Sequence, residues 1–191
     1  MSGISYELPF GRSKKYGKDL SGVAGQLASG WHVSGILSLH SGTPFDVRQA
    51  DNRSRNGAVF FSDRPNLSTG SCRVFGSPAG WFDVTAFVPA GPGFYGTSPR
   101  NACRGPGFKN LDLSAQKDFT VSERIKLHFQ CDFFNMANHP NFASPENIGN
   151  PNGLGGGDAA FAGTQRLASA GRIFNTVNSA REIQFALKMS F

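Results

Sequence analysis

The last ten residues, Glu182-Ile-Gln-Phe-Ala-Leu-Lys-Met-Ser-Phe191, put Ile183, Phe185, Leu187, Met189 and Phe191 on every second position. Glu182, Gln184, Ala186, Lys188 and Ser190 fill the places between. A period of two sends alternate side chains to opposite faces of a strand, so this segment has one greasy and one mostly polar face. Two settings produce that pattern. In a membrane β-barrel the apolar residues face lipid and the polar ones the lumen; in a soluble sheet the apolar residues face a core.

The same alternation recurs four times upstream. In residues 3–10, Ile4, Tyr6, Leu8 and Phe10 alternate with Ser5, Glu7 and Pro9. Pro9 lacks an amide hydrogen and belongs near that strand's end. Residues 30–41 place Trp31, Val33, Leu37 and Leu39 opposite His32, Ser34, Ser38 and His40, with Ile36 the exception. Residues 108–119 set Leu111, Leu113 and Ala115 against Asn110, Asp112, Ser114 and Gln116. Residues 124–134 set Ile125, Leu127, Phe129, Cys131 and Phe133 against Lys126, His128, Gln130 and Asp132. The last two strands, joined across Thr120 to Arg124, form the most legible hairpin in the chain. A short amphipathic helical turn is compatible with Leu20 to Leu27.

The connections alternate in length. About 20 residues join the first two strands and about five the third to the fourth, whereas 41–106 and 135–181 are long and rich in Gly, Asn and Pro. Structureless loops of such length are uncommon in compact soluble domains. Outer-membrane barrels alternate short periplasmic turns with long external loops. The expected fold is therefore all-β: antiparallel up-and-down strands of an outer-membrane β-barrel, about five of them, an incomplete barrel with two long loops. A soluble or secreted β-rich module that binds carbohydrate or a surface is the alternative, with Trp81, Phe82 and Tyr95 as its stacking residues.

Other classes find little support. The net charge of +6 admits a nucleic-acid partner, but the basic residues are scattered and the Arg12-Ser-Lys14-Lys15 cluster reads as a solvated turn. No stretch reaches the roughly 18 apolar residues of a membrane-spanning helix; Ala58-Val-Phe-Phe61 is far too short. Gly153-Leu-Gly-Gly-Gly-Asp158 lacks a P-loop lysine, and His139-Pro-Asn141 and Asn150-Pro-Asn152 read as turn formers. Asp112 and Asp132 share a polar face but alternate with Ser114, Gln116, His128 and Gln130, as a hydrated wall would. No nucleophile stands with its base, so no catalytic residue, cofactor or metal ligand is nominated. Cys72 and Cys103 fall in one long loop and can pair only in an oxidising compartment, while Cys131 reads as a small buried hydrophobe.

Several stretches, in order along nearly the whole chain, resemble the C-terminal end of TonB-dependent outer-membrane receptors. They are Tyr6-Glu-Leu-Pro-Phe-Gly11, Gly30-Trp-His-Val-Ser-Gly-Ile36, Ser41-Gly-Thr-Pro-Phe45, Trp81-Phe-Asp-Val-Thr-Ala-Phe87, Gly96 to Gly107, Asn110-Leu-Asp-Leu-Ser114, Phe133 to Phe142 and Arg181 to Phe191. The nearest branch is the Oar-like one, which carries a carboxypeptidase-regulatory-type domain. The resemblance implies a 22-stranded barrel of a Gram-negative-type outer membrane, energised by the TonB complex and importing a scarce nutrient. It also implies that Phe185, Leu187, Met189 and Phe191 form the C-terminal signal read by the barrel-assembly machinery. The implied partners are outer-membrane lipid, the remainder of the barrel and its plug, the TonB complex through an N-terminal part, and a small nutrient ligand, with no nucleic acid. No signal peptide, TonB box or plug is recognisable, and five strands are too few to close a barrel. Residues 1–191 are accordingly expected to be a C-terminal fragment of such a receptor.

Overall fold

The computed structural model describes all residues except 12–13, 21, 50, 58–62, 123, 146–157, 163 and 167, with the backbone alone at 158–162. Arg12, the Ala58-Val-Phe-Phe61 run, Asn150-Pro-Asn152 and residues 153–157 of the glycine-rich stretch lie outside the described residues. The chain divides into two compact units, one of residues 1–40, 109–140 and 178–191, the other of residues 41–108 and 141–177.

The first unit is a five-stranded sheet whose neighbours follow chain order. Its strands are β1 (Ser2–Glu7), β2 (Trp31–His40), β3 (Phe108–Thr120), β4 (Lys126–Phe134) and β5 (Glu182–Ser190). All five lie where the alternation predicts. The first stops before Leu8, earlier than expected, because Pro9 cannot donate to a ladder; Phe10 instead bridges Tyr16 outside the sheet. The helical turn is real and spans Gly22–Ala28; we call it α1.

Register decides which face each side chain takes. β1 and β2 are antiparallel with Ile4 opposite Gly35 and Tyr6 opposite Val33. β3 and β4 pair Ala115 with Cys131 and Gln116 with Gln130. β4 and β5 pair Phe129 with Leu187, Cys131 with Phe185 and Asp132 with Gln184. Apolar residues therefore meet apolar ones and polar residues polar ones across most rungs, Lys117 opposite Phe129 and Phe134 opposite Glu182 being exceptions. A slip of one residue would turn each apolar row onto the polar face. Gly35 leaves room where β2 meets β3: a Cβ there would lie 2.7 Å from Leu113 Cδ2 and would make that side chain shift.

The apolar face is mostly uncovered. Ile4 is 73% exposed, Phe185 71% and Leu187 68%, whereas a soluble sheet would bury this row against a second layer. Amid this face Lys117, directly opposite Phe129, is buried. Its ammonium donates to the Ser29 carbonyl just past α1 and sits 5.4 Å from the Trp31 ring centroid and 4.9 Å from that of Phe119. Trp31 stacks edge-on against Phe129 at 6.2 Å and donates its indole N–H to the Leu27 carbonyl at 2.9 Å. Lys117 and Trp31 thus tie α1 to the sheet while the aromatic rings shield the one charge. A charged hydrogen bond of this kind is worth about 1.5–3 kcal/mol and a shielded cation–π contact about 0.5–2 kcal/mol.

The two long connections form the second unit. It has a core of Val47, Phe82, Ala86, Phe87 and Cys103. Phe82 packs edge-on against Phe45 at 5.6 Å and against Phe87 at 5.7 Å. Short ladders hold it: Pro44–Phe45 with Cys103–Arg104, Asn66–Leu67 with Phe87–Val88, and Val74–Ser77 with Gly80–Phe82. Val47–Gln49 runs parallel to Asp158–Ala162. Asp83 caps a short 3-10 turn at Val84–Ala86, accepting from the Thr85 hydroxyl and amide, and these bonds hold its carboxyl below the usual carboxylate range. A disulfide joins Cys72 to Cys103, 31 residues apart. Closing a loop of that length stabilises by about 3–4 kcal/mol on the chain-entropy account.

Lys117→Ala is expected to lower stability by about 2–4 kcal/mol, the hydrogen bond and ring contacts together. Lys188→Ala on the exposed polar face is expected to change it by less than about 0.5 kcal/mol. Urea unfolding midpoints in lipid vesicles check the difference, and equal midpoints would refute the anchoring role.

Candidate functional site

In the second unit Asp46 lies between two short strands, and the pairing of Pro44–Phe45 with Cys103–Arg104 brings Asn101 to it. Asn101 takes a left-handed backbone conformation, φ 55°, which Asn tolerates better than most residues. Its amide donates to Asp46 Oδ1 at 2.5 Å, and Arg48 donates to Asp46 Oδ2 at 3.2 Å. A second stitch joins 64–67 to 96–98. Ser98 N donates to the Pro65 carbonyl at 3.0 Å, Thr97 N to Asn66 Oδ1 at 3.0 Å, and Leu67 N to Thr97 Oγ1 at 3.3 Å. The two backbones run so close at Gly96 that a Cβ would fall 1.9 Å from the Arg64 carbonyl oxygen.

Between these stitches lies a pocket of about 580 Å³ lined by Asp46, Arg48, Arg64, Tyr95, Gly96, Arg100 and Asn101. That volume is in the range of small-molecule sites, roughly 300–1,000 Å³, but the lining is far more polar than usual. Three arginines and one aspartate contribute to the lining. Asp46 is engaged by Arg48 and Asn101. Asp63, next to Arg64 in sequence, is buried and spends both carboxylate oxygens on the Ser54 amide and hydroxyl, at 2.6 and 2.8 Å. Among the described residues Arg64 and Arg100 have no acidic partner. Tyr95 is 69% exposed.

The stacking trio expected for a carbohydrate-binding module does not assemble. Phe82 is 2% exposed, because the second unit uses it as the centre of its core. Trp81 packs against that core and donates its indole N–H to the Arg104 carbonyl at 2.8 Å. Only Tyr95 lines the pocket. Asp112 and Asp132 do share the polar face, but both are occupied. Asp112 accepts from Asn110 and the Asn135 amide, and Asp132 from Gln130. Lys14 pairs with Glu7 at 2.8 Å, and Lys15 lies over the Tyr16 ring. Cys131 is free and buried. Ile183, Phe185, Leu187 and Met189 all point to the uncovered apolar face, and Phe191 is 95% exposed.

The arginines of the pocket escaped notice in the sequence because they are scattered between Val47 and Asn101. Only Arg100-Asn101 stood out, as part of the receptor-like stretch Gly96 to Gly107. The first unit holds a contrasting groove of about 520 Å³ beside α1, lined mainly by Trp31, Phe119, Val121, Leu127, Phe129 and Leu187. It is apolar and lies on the face opposite the polar rows.

An open, meandering antiparallel sheet with one uncovered apolar face and one polar face defines the strand architecture of a membrane barrel. Residues 1–184 match the model of the outer membrane beta barrel domain family, and the chain belongs to that family. It is an outer-membrane protein. No curated protein and no solved structure matches it. In such barrels the apolar rows meet lipid and the polar rows face the interior.

Gly96→Ala is expected to destabilise the second unit by about 1–3 kcal/mol through overpacking. Gly91→Ala, whose Cβ would meet only Phe94 Cδ2 at 3.6 Å, is expected to be tolerated. Denaturant midpoints of the two variants should differ accordingly; equal midpoints would mean that the 64–67 and 96–98 segments are not held together as described.

Proposed function

We propose that this chain is the C-terminal part of the barrel of a TonB-dependent outer-membrane receptor, of the Oar-like branch, and that the receptor takes up a small nutrient. The observation that carries this reading is the second unit. A barrel that served only as a wall would need no inter-strand connections with their own aromatic core, a disulfide and a polar pocket. A receptor needs a rigid ligand-reading surface, because a loop ordered only on binding would lose affinity to its ordering cost. The ordered series of receptor-like stretches from Tyr6 to Phe191 supports the same reading.

On this proposal the sheet belongs to a larger barrel. Among the described residues β1 and β5 each have a neighbouring strand on one side only, and unpaired backbone groups at membrane depth are costly enough that spanning sheets close. The remaining strands, a plug and the segment that engages the TonB complex would belong to the rest of the receptor. Connections 41–106 and 135–181 would select the ligand from outside a Gram-negative-type cell, without catalytic groups. In-frame coding sequence for a plug domain upstream of Met1 would support the proposal; a gene beginning at its own promoter there would contradict it.

Phe185, Leu187, Met189 and Phe191 would serve as the assembly signal. Phe191→Ser is expected to lower the outer-membrane level of the receptor severalfold, and Ser190→Thr to leave it unchanged. Quantifying the protein in outer-membrane fractions distinguishes the two outcomes, and equal levels would remove the signal role.

A further inference from the structure

We infer that the pocket of the second unit takes an acidic sugar, a pyranose ring carrying a carboxylate. This rests on the reading of the pocket as the receptor's ligand site and adds the class of ligand. The charge count gives the first half. The Asp46 carboxylate is already shared between Arg48 and the Asn101 amide, and Asp63 is turned to Ser54. Arg64 and Arg100 therefore bring positive charge to the lining, with no acid among the described residues paired to either. A guanidinium presents a planar fork of donors that fits a carboxylate in two-point contact. A neutral or cationic ligand would leave that charge uncompensated.

The second half comes from shape and from the one aromatic group. The lining offers Tyr95 as a single open ring among polar groups. One ring face suits the apolar side of a sugar, whereas a wholly apolar ligand would find almost nothing to cover. The pocket is rigid on both sides. Asp46 fixes one wall through Asn101, and the close approach at Gly96 fixes the other beside Arg64. The volume, about 580 Å³, is ample for one or two sugar rings.

The test is direct titration of the purified full-length protein in detergent with three probes: a trisaccharide of galacturonic acid, a neutral galactose trisaccharide, and citrate. The acidic trisaccharide is expected to bind, with affinity falling as salt rises, and the other two at least about tenfold more weakly. Arg64→Gln with Arg100→Gln should weaken acidic-sugar binding about tenfold or more, a loss of about 1.4 kcal/mol for each factor of ten. Arg64→Lys with Arg100→Lys should fall between, and this pair keeps the test decisive if the glutamine pair fails to fold. Tyr95→Ala should weaken the acidic trisaccharide severalfold and leave citrate unaffected. Arg73→Gln, at a residue lying over the Phe75 ring and outside the pocket, should bind as the parent does.

Equal binding of the neutral trisaccharide would overturn the acidic half of the inference, and citrate binding as tightly as the acidic sugar would overturn the sugar half. Parent-like binding by the lysine and glutamine pairs, or no binding of any probe by the parent protein, would overturn the whole. None of these readouts needs energised transport. Intact binding without TonB-dependent uptake would sink the receptor reading alone, and TonB-dependent uptake of some other nutrient without acidic-sugar binding would sink only this inference.

Discussion

The register of the five strands is the constraint on which everything else in this chain depends. Backbone pairing fixes which residue stands opposite which, and from that follows the sorting of side chains. Most leucines, phenylalanines, isoleucines and methionines of the strands go to one face, and aspartate, glutamine and histidine to the other, with Ile36 and Phe134 among the polar residues. The apolar face has no second layer over most of its area. In water that exposure would be a liability; in a bilayer it is the source of stability. The exception, Lys117, follows the same rule, since its charge is hidden under Trp31 and Phe119 and satisfied by a carbonyl beyond α1.

The second unit solves a different problem. Short two-residue ladders contribute little alone, and connections of this length would ordinarily stay irregular. Here a cluster of phenylalanines and a disulfide supply the missing cohesion. Cys103 belongs to both, sitting in the core while bonded to Cys72. The same stitching that closes the unit also brings Arg64, Tyr95 and Arg100 around one cavity. The pocket is thus a product of how the connections fold, and on the proposed function a ligand-reading role would fall to them and not to the strands.

Much of the first unit was legible in the sequence because a strand announces its faces through a period of two. All five strands, their order, and the odd placement of Ile36 among polar residues were there to be read. The end of β1 was less so, since Leu8 and Phe10 continue the alternation past the proline that stops the ladder. Lys117 gave no sign of its importance, because its partners Ser29 and Trp31 lie far away in sequence. The second unit was legible only as loop. Nothing local distinguishes Phe82, a core residue, from Tyr95, an exposed one, and the arginines of the pocket are gathered by contacts between distant segments. Long-range contacts carry no periodic signature.

The central claim is that the sheet presents its apolar rows to lipid and its polar rows to water. Single cysteines at Gln184, Phe185, Leu187 and Lys188, introduced with Cys131 replaced by serine, can be spin-labelled in the full-length protein in bilayers. Collision with lipid-soluble oxygen and with a water-soluble nickel complex then reports each site's surroundings. Labels at 185 and 187 are predicted to meet oxygen, and labels at 184 and 188 the nickel complex. Equal access at all four positions, or the reverse order, would contradict this account of the fold.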